Sequence, residues 1–274
     1  MAADRSAFAE AVSPPDEQID LARAALLFAA PEYPNLELDR YLTRLDLLAA
    51  AAAERLSPAL PPEEVVTRLA EFLHEEQGFQ GNRADYGDPR NSFLNEVLDR
   101  KLGLPISLSV VWIEVAKRLH LPMVGVGLPG HFIVKWEGAE ELLIDPYDGG
   151  RLLTVEDCRE QLRGSYSSAL WRDNFLDRSS NREIIARMLR NLKSSYVVLQ
   201  DTDRALAAIQ MILIVTPTAS EEVRDLGLMH LQRQESRRGT EHLERYLRLA
   251  PHAHDQEQIR QIIRQVRDRV GQWN

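Results

Sequence analysis

The sequence predicts an α+β core with a mostly helical N-terminal segment, followed by an all-α repeat region. Three observations carry this. Apolar residues recur at three- and four-residue spacing over 19–30 and 36–56, the mark of amphipathic helices. Three short apolar runs joined by glycine-containing turns lie between residues 123 and 144, the mark of paired strands. From about residue 180 glycine becomes rare, every segment has a helical pattern, and a period of 34 residues sets in.

Residues 1–17, MAADRSAFAEAVSPPDE, are small and polar and end at Pro14-Pro15, which predicts a flexible N-terminal arm. The core is expected over 18–178, including its leading helices. Pro61-Pro62-Glu63-Glu64 places proline in a first helical turn and acids at the positive end of the dipole, so a helix is expected through Glu76, with Gly78 ending it. GFQGNRADYGDPRNS (78–92) reads as a surface loop, and a short helix follows from Phe93 to Lys101. Gly103 and Pro105 break that pattern. Beyond them Leu108, Val111, Trp112, Val115, Ala116 and Leu119 share one helical face, which puts Trp112 in the core and Ser107 at the N-cap or in the first turn. Pro122 stops the helix. Strands are expected at Met123–Val126, Phe132–Trp136 and Glu141–Ile144, then a turn over DPYDGGRLL (145–153), then a helix whose capping box is Thr154 with Asp157.

The region 179–274 is where the period lies. Pro217 and Pro251 close the segments MILIVTP and YLRLAP, and the same offset aligns Ala205 with Gly239, Ile209 with Leu243, and Leu213 with Leu247. Small and apolar positions at this spacing predict tetratricopeptide-like helix pairs. Two copies fall short of the roughly three that a solenoid needs, so flanking helices near 181–200 and 255–270, the first domain or a partner must cover the remaining apolar faces.

Composition excludes several functions. A net charge of −9 and a pI near 5.4 argue against nucleic acid as a partner. One cysteine, Cys158, rules out an internal disulfide and any multi-cysteine zinc site, and fits the reducing cytoplasm. Neither a signal-peptide core nor a run of about 18 apolar residues is present, so no membrane association is expected. Cys158 falls on the apolar stripe with Val155 and Leu162 and reads as a small buried hydrophobe. His252 and His254 lack further ligands nearby, Arg237-Arg238 reads as a solvated turn, and neither metal nor cofactor is implied.

One constellation has chemical potential. A hydroxyl at a helix N-terminus (Ser107), an imidazole at a strand start (His131) and a carboxylate before a prolyl turn (Asp145) are the ingredients of acyl transfer, with helix N–H groups as the oxyanion site. The same residues have ordinary structural roles as cap, strand residue and turn former. Asn91, Asn95 and Gly130, with Ser92, are candidates to line the same cleft, and Gly127, Pro129 and Gly130 also to shape the backbone that presents His131.

The run NSFLNEVLDRKLGLPISLSVVWIEVAKRLHLPMVGVGLPGHFIVKW with IDPYDGG resembles the papain-related core of the transglutaminase-like superfamily, in the bacterial SirB-type branch where tetratricopeptide-like repeats follow that core. The resemblance matches His131 and Asp145 to the family's histidine and aspartate, and places Ser107 where active members carry cysteine. A thiol can be held as thiolate beside imidazolium; a hydroxyl needs concerted proton removal. Two roles follow from the resemblance. One is a non-catalytic, pseudoenzyme-like module that binds a protein or peptide through the cleft or the repeats, which the resemblance favours. The other is a serine-type hydrolase or acyltransferase using Ser107, His131 and Asp145.

Overall fold

A computed structural model describes residues 2–165 and 171–271. The chain divides into two compact units, the first ending at Met188 and the second beginning at Leu189. The division falls inside a helix, beyond the boundary expected near 178.

The first unit opens with α1 (Ala2–Ala11), α2 (Leu21–Leu27), α3 (Leu38–Ala53) and α4 (Pro62–Ala70), the last continuing into a π-type turn over Glu71–Glu76. The expected N-terminal arm is therefore corrected: most of it is a docked helix. An alanine-rich stretch favours helix, and Phe8 and Val12, four residues apart, share one buried face. Phe8 meets Phe28, the residue that caps the end of α2, edge-on, 6.5 Å between ring centroids. The Asp16 carboxylate then accepts the backbone N–H groups of Asn181 and Arg182, both at 2.9 Å.

The loop after α4 contributes β1 (Gln80–Gly81), which pairs in parallel with β2 (Leu102–Gly103); α5 (Leu94–Arg100) lies between them in sequence. Next comes α6 (Pro105–Arg118), whose start is set by Pro105 at its first position, two residues before Ser107. It is buried all round over its first turns, Ser107 and Ser109 included, and packs against α3 and the main sheet. That sheet is antiparallel in the order β3 (Met123–Val126), β4 (Ile133–Trp136), β5 (Leu142–Asp145) and β6 (Arg151–Leu153).

The fourth strand was not expected, since 145–153 reads as a turn. Gly149 and Gly150, at φ +70° and +78°, reverse the chain tightly enough for Arg151 to pair with Asp145 and Leu153 with Leu143. Gly150 has a second constraint: an added Cβ would lie 2.7 Å from Ala70 Cβ and 2.8 Å from the Trp112 ring. Beyond β6, α7 (Val155–Ser165) carries the expected box, with Asp157 Oδ2 accepting from Thr154 N at 2.7 Å and Thr154 Oγ1 accepting from Asp157 N at 3.1 Å. The helix α8 (Asn181–Val198) runs from this unit into the next.

The second unit holds the rest of α8 with α9 (Thr202–Val215), α10 (Ser220–Gln232), α11 (Ser236–Leu249) and α12 (Gln256–Gly271). The 34-residue period is visible in the backbone. Gln200 and Gln234 both adopt left-handed φ, +58° and +63°, and Asp201 N and Glu235 N donate to Tyr196 O and His230 O, each at 2.9 Å. Small residues allow α10 and α11 to approach closely, because a Cβ on Gly239 would meet Leu231 Cδ2 at 2.4 Å. Val223, Leu243, Tyr246, Ile259 and Ile263 form the core where α12 covers the last pair. Arg237 and Arg238 lie in the first turn of α11 rather than in a turn between helices, and both are exposed.

Candidate functional site

Ser107 is the third residue of α6 and is completely buried. Its Oγ accepts the N–H of Leu104 at 2.9 Å, the reach-back half of a capping box, which satisfies a donor the helix leaves unpaired. Its proton goes to the Asn91 carbonyl at 2.7 Å, with the Leu104 carbonyl at 3.2 Å. Gly103 closes over it, since a Cβ there would lie 2.7 Å from Oγ.

Asn91 belongs to the same knot. It is fully buried, accepts from Asn82 Nδ2 at 2.9 Å, and donates through Nδ2 to the carbonyl of Asp85 at 2.8 Å. It therefore ties the 82–91 loop to the start of α6. Ser92 is buried beside it with an unpartnered Oγ.

His131 and Asp145 are brought together from neighbouring strands, His131 just before β4 and Asp145 at the end of β5. Imidazole Nε2 lies 2.9 Å from Asp145 Oδ2, and Asp145 Oδ1 accepts from Tyr147 N at 3.0 Å and Asp148 N at 3.3 Å. The carboxylate thus orients the ring and caps the following turn at once. Gly130, at φ +76°, makes the bend before His131. Arg187 of α8 braces the bend by donating to the carbonyls of Leu128 (2.7 Å) and His131 (2.6 Å).

The Ser107 hydroxyl and His131 share no hydrogen bond, so the three residues do not form a connected triad here. On one side His131 meets the edge of Tyr147, 6.3 Å between centroids, and Arg83 lies over the Tyr147 ring. On the other it borders a cavity of about 230 Å³ whose walls include Leu128, Gly130, Cys158, Gln161 and Trp171. Gln161 Oε1 is buried there without a partner. Burial pushes the Cys158 thiol up to about 11, with Asp157 and Asp145 adding to the effect, so this cysteine is protonated and a poor nucleophile at neutral pH. Asn95 lies elsewhere, on a separate depression bounded by α3 and α5.

Tyr147 sits inside the DPYDGG motif and was within reach of sequence reasoning. Arg187 was not, because it comes from a helix 56 residues further on. Among the described residues no group of three His, Cys, Asp or Glu is arranged to hold a metal ion, and no helix is long and apolar enough to cross a membrane.

An antiparallel sheet that carries a His–Asp pair beside a buried helix, followed by paired helices at a 34-residue period, defines a class. A family model described as transglutaminase-like superfamily matches residues 39–190, and one described as tetratricopeptide repeat matches 192–264. The chain belongs to the transglutaminase-like superfamily, in its SirB-type branch with tetratricopeptide repeats. It is 38% identical over 256 residues to a UPF0162 protein of Xylella fastidiosa, covering 89% of each chain. It is 33% identical to a UPF0162 protein of Pseudomonas aeruginosa, covering 74% of each, and 31% identical to the protein SirB1 of Salmonella typhimurium, covering 69% of this chain and 71% of that one.

Proposed function

We propose that this protein is a non-catalytic transglutaminase-like module that works by binding another protein in the bacterial cytoplasm. The state of Ser107 carries this reading. A nucleophilic hydroxyl must reach both a base and a substrate. Here the hydroxyl is sealed from solvent and its proton is committed to a backbone carbonyl. Its oxygen is also occupied by the N–H of Leu104, so turning toward a substrate would leave two buried backbone groups unpaired. Such a serine acts as a cap.

The binding half of the reading is supported by the repeats, which commonly present protein-binding surfaces. At the end of α8, Val197, Val198 and Leu199 are consecutive and exposed, Val198 at 79%. The alignments with relatives named UPF0162 and SirB1 cover 89% and 69% of this chain.

The test has two arms. A serine-reactive fluorophosphonate is expected to leave Ser107 unlabelled under native conditions; an adduct on the wild type that is lost in Ser107→Ala would establish the serine-type hydrolase or acyltransferase instead. A photoreactive amino acid at position 198 is expected to crosslink a discrete protein in bacterial cells, and the absence of any crosslink refutes the binding role.

A further inference from the structure

The cations of this chain are overwhelmingly arginine: of 33 basic residues four are lysine, at 101, 117, 135 and 193. The distinction is chemical. Guanidinium keeps its proton, whereas an ammonium group gives its proton up readily once desolvated and then becomes a nucleophile. Two of the four lysines are neutralised in place. Lys135 Nζ donates to the Leu176 carbonyl at 3.2 Å, with Glu141 at 3.6 Å and Glu137 at 3.8 Å, and Lys193 Nζ donates to Asp225 at 3.1 Å. Lys117 is exposed to solvent in the last turn of α6.

Lys101 differs from all three. It caps the end of α5 at φ +63°, its N–H donates to the Val97 carbonyl at 2.9 Å, and its own carbonyl accepts from Gln80 N at 2.8 Å. From this fixed root the side chain carries Nζ over the ring of Phe79, 4.0 Å from the centroid. A ring face attracts a cation but brings no negative charge to balance it. Among the described residues Nζ makes no hydrogen bond and no ion pair. The neighbouring acid, Asp99, is already shared by Tyr41 at 2.7 Å and Arg44 at 2.6 Å. Arg44 sets a second positive charge against the ammonium, and its side chain stays 34% exposed with donors beyond the one given to Asp99. Burial, then the charge of Arg44, bring the Lys101 ammonium down to about 8 against the opposing attraction of Asp99.

We propose that Lys101 is a site of Nε-acylation that takes its acyl group from a small acyl phosphate. The neutral amine attacks the carbonyl carbon. As the N–C bond forms, the C–O bond to phosphate breaks, inorganic phosphate leaves with the bonding pair, and the amine proton passes to water. Arg44 and the partly charged Lys101 population together attract an anionic donor, which an uncharged donor does not exploit. The product is a neutral amide, so one of two crowded cations is removed from the surface between α3 and α5. This modification goes beyond the binding role proposed above and does not depend on it.

The test uses the full folded chain, with acetyl phosphate as the donor and p-nitrophenyl acetate as its uncharged counterpart. Acetylation of all four lysines is followed by peptide mass spectrometry as pH is varied. Near neutral pH Lys101 is expected to react about tenfold faster than Lys117, because its larger free-amine fraction outweighs its lower basicity. Its rate should level off as pH passes about 8, while that of Lys117 goes on rising toward the ordinary lysine range near 10.4. In guanidinium chloride the advantage should disappear. Arg44→Gln is expected to slow acetyl phosphate at Lys101 more than p-nitrophenyl acetate. Equal or faster reaction at Lys117, a rate at Lys101 that climbs without a break through the same range as Lys117, a preference that survives unfolding, or equal slowing of both donors by Arg44→Gln each overturns the assignment. The comparison among the four lysines of the wild type does not depend on any variant folding.

Discussion

The knot around Ser107 and the dyad of His131 with Asp145 are both buried polar clusters of the same unit, and they differ in what remains open. In the knot, the hydroxyl accepts from Leu104 N and donates to Asn91 O, Asn91 is filled by Asn82 and Asp85, and nothing of Ser107 reaches solvent. In the dyad, Asp145 is likewise filled, but the imidazole borders a cavity and keeps 18% of its side-chain surface. The difference teaches how two polar clusters of one unit are held: the dyad joins side chain to side chain, while every hydrogen bond of the Ser107 hydroxyl is to a backbone group that would otherwise be left unpaired.

The largest effect expected from this contrast is on stability at Ser107. Ser107→Ala orphans the Leu104 N–H and the Asn91 carbonyl, both buried, and should cost about 3 kcal/mol in urea unfolding. A cost near zero would break the comparison, because it would mean that the knot is not structural. Asp145→Ala removes the His131 pair and two backbone hydrogen bonds and is expected to cost about 2 kcal/mol. Asp145→Asn keeps an acceptor for Tyr147 N and Asp148 N, so it should recover most of that loss. His131→Ala, at a partly exposed site with one polar partner, should cost no more than about 1 kcal/mol. If His131→Ala proved costlier than Ser107→Ala, the roles assigned to the two clusters would be reversed.

Reactivity sharpens the same contrast. Ser107→Cys is expected to put a thiol into the sealed knot, where iodoacetamide modifies it no faster than it modifies Cys158, itself 1% exposed. Rapid alkylation at position 107, read by intact-mass spectrometry under native conditions, would show an open site.

A further effect is expected on the alkaline side and belongs to a third polar cluster, that of Tyr41 and Asp99. Burial, then the hydrogen bond and the charge of Asp99, push the Tyr41 phenol up to about 12. An unfolded tyrosine releases its proton near 10, so the folded state holds the extra proton between these values. This contribution to stability is complete below pH 10 and is lost as pH rises through about 12. Tyr41→Phe should flatten that limb of the unfolding profile; an unchanged limb would show that the bond to Asp99 does not couple to folding.

Much of the fold was legible along the chain, and the reasons are local. Helical spacing marks α3 and α6, proline at the first position marks the starts of α4 and α6, and the offset from Ala205 to Gly239 reappears as close helix packing and as paired left-handed glutamines at 200 and 234. Where the reading missed, the deciding contact lay far away. The segment 2–11 is helical by composition, but only the docking of Phe8 on Phe28 makes it part of the unit rather than an arm. The strand β6 is three residues long and becomes visible only when β5 is there to pair with it.

The candidate site divides in the same way. Residue types and spacing were enough to nominate Ser107, His131 and Asp145, because helix starts, strand starts and prolyl turns are written in neighbouring residues. Only the tertiary structure decided which of them meet. Whether a hydroxyl points to an imidazole or to a carbonyl depends on the path of the 82–91 loop, and whether an asparagine ties a loop or waits unpaired on a pocket wall depends on what folds over it. Those are contacts between distant segments, set by packing and by the satisfaction of buried polar groups, and no local pattern encodes them.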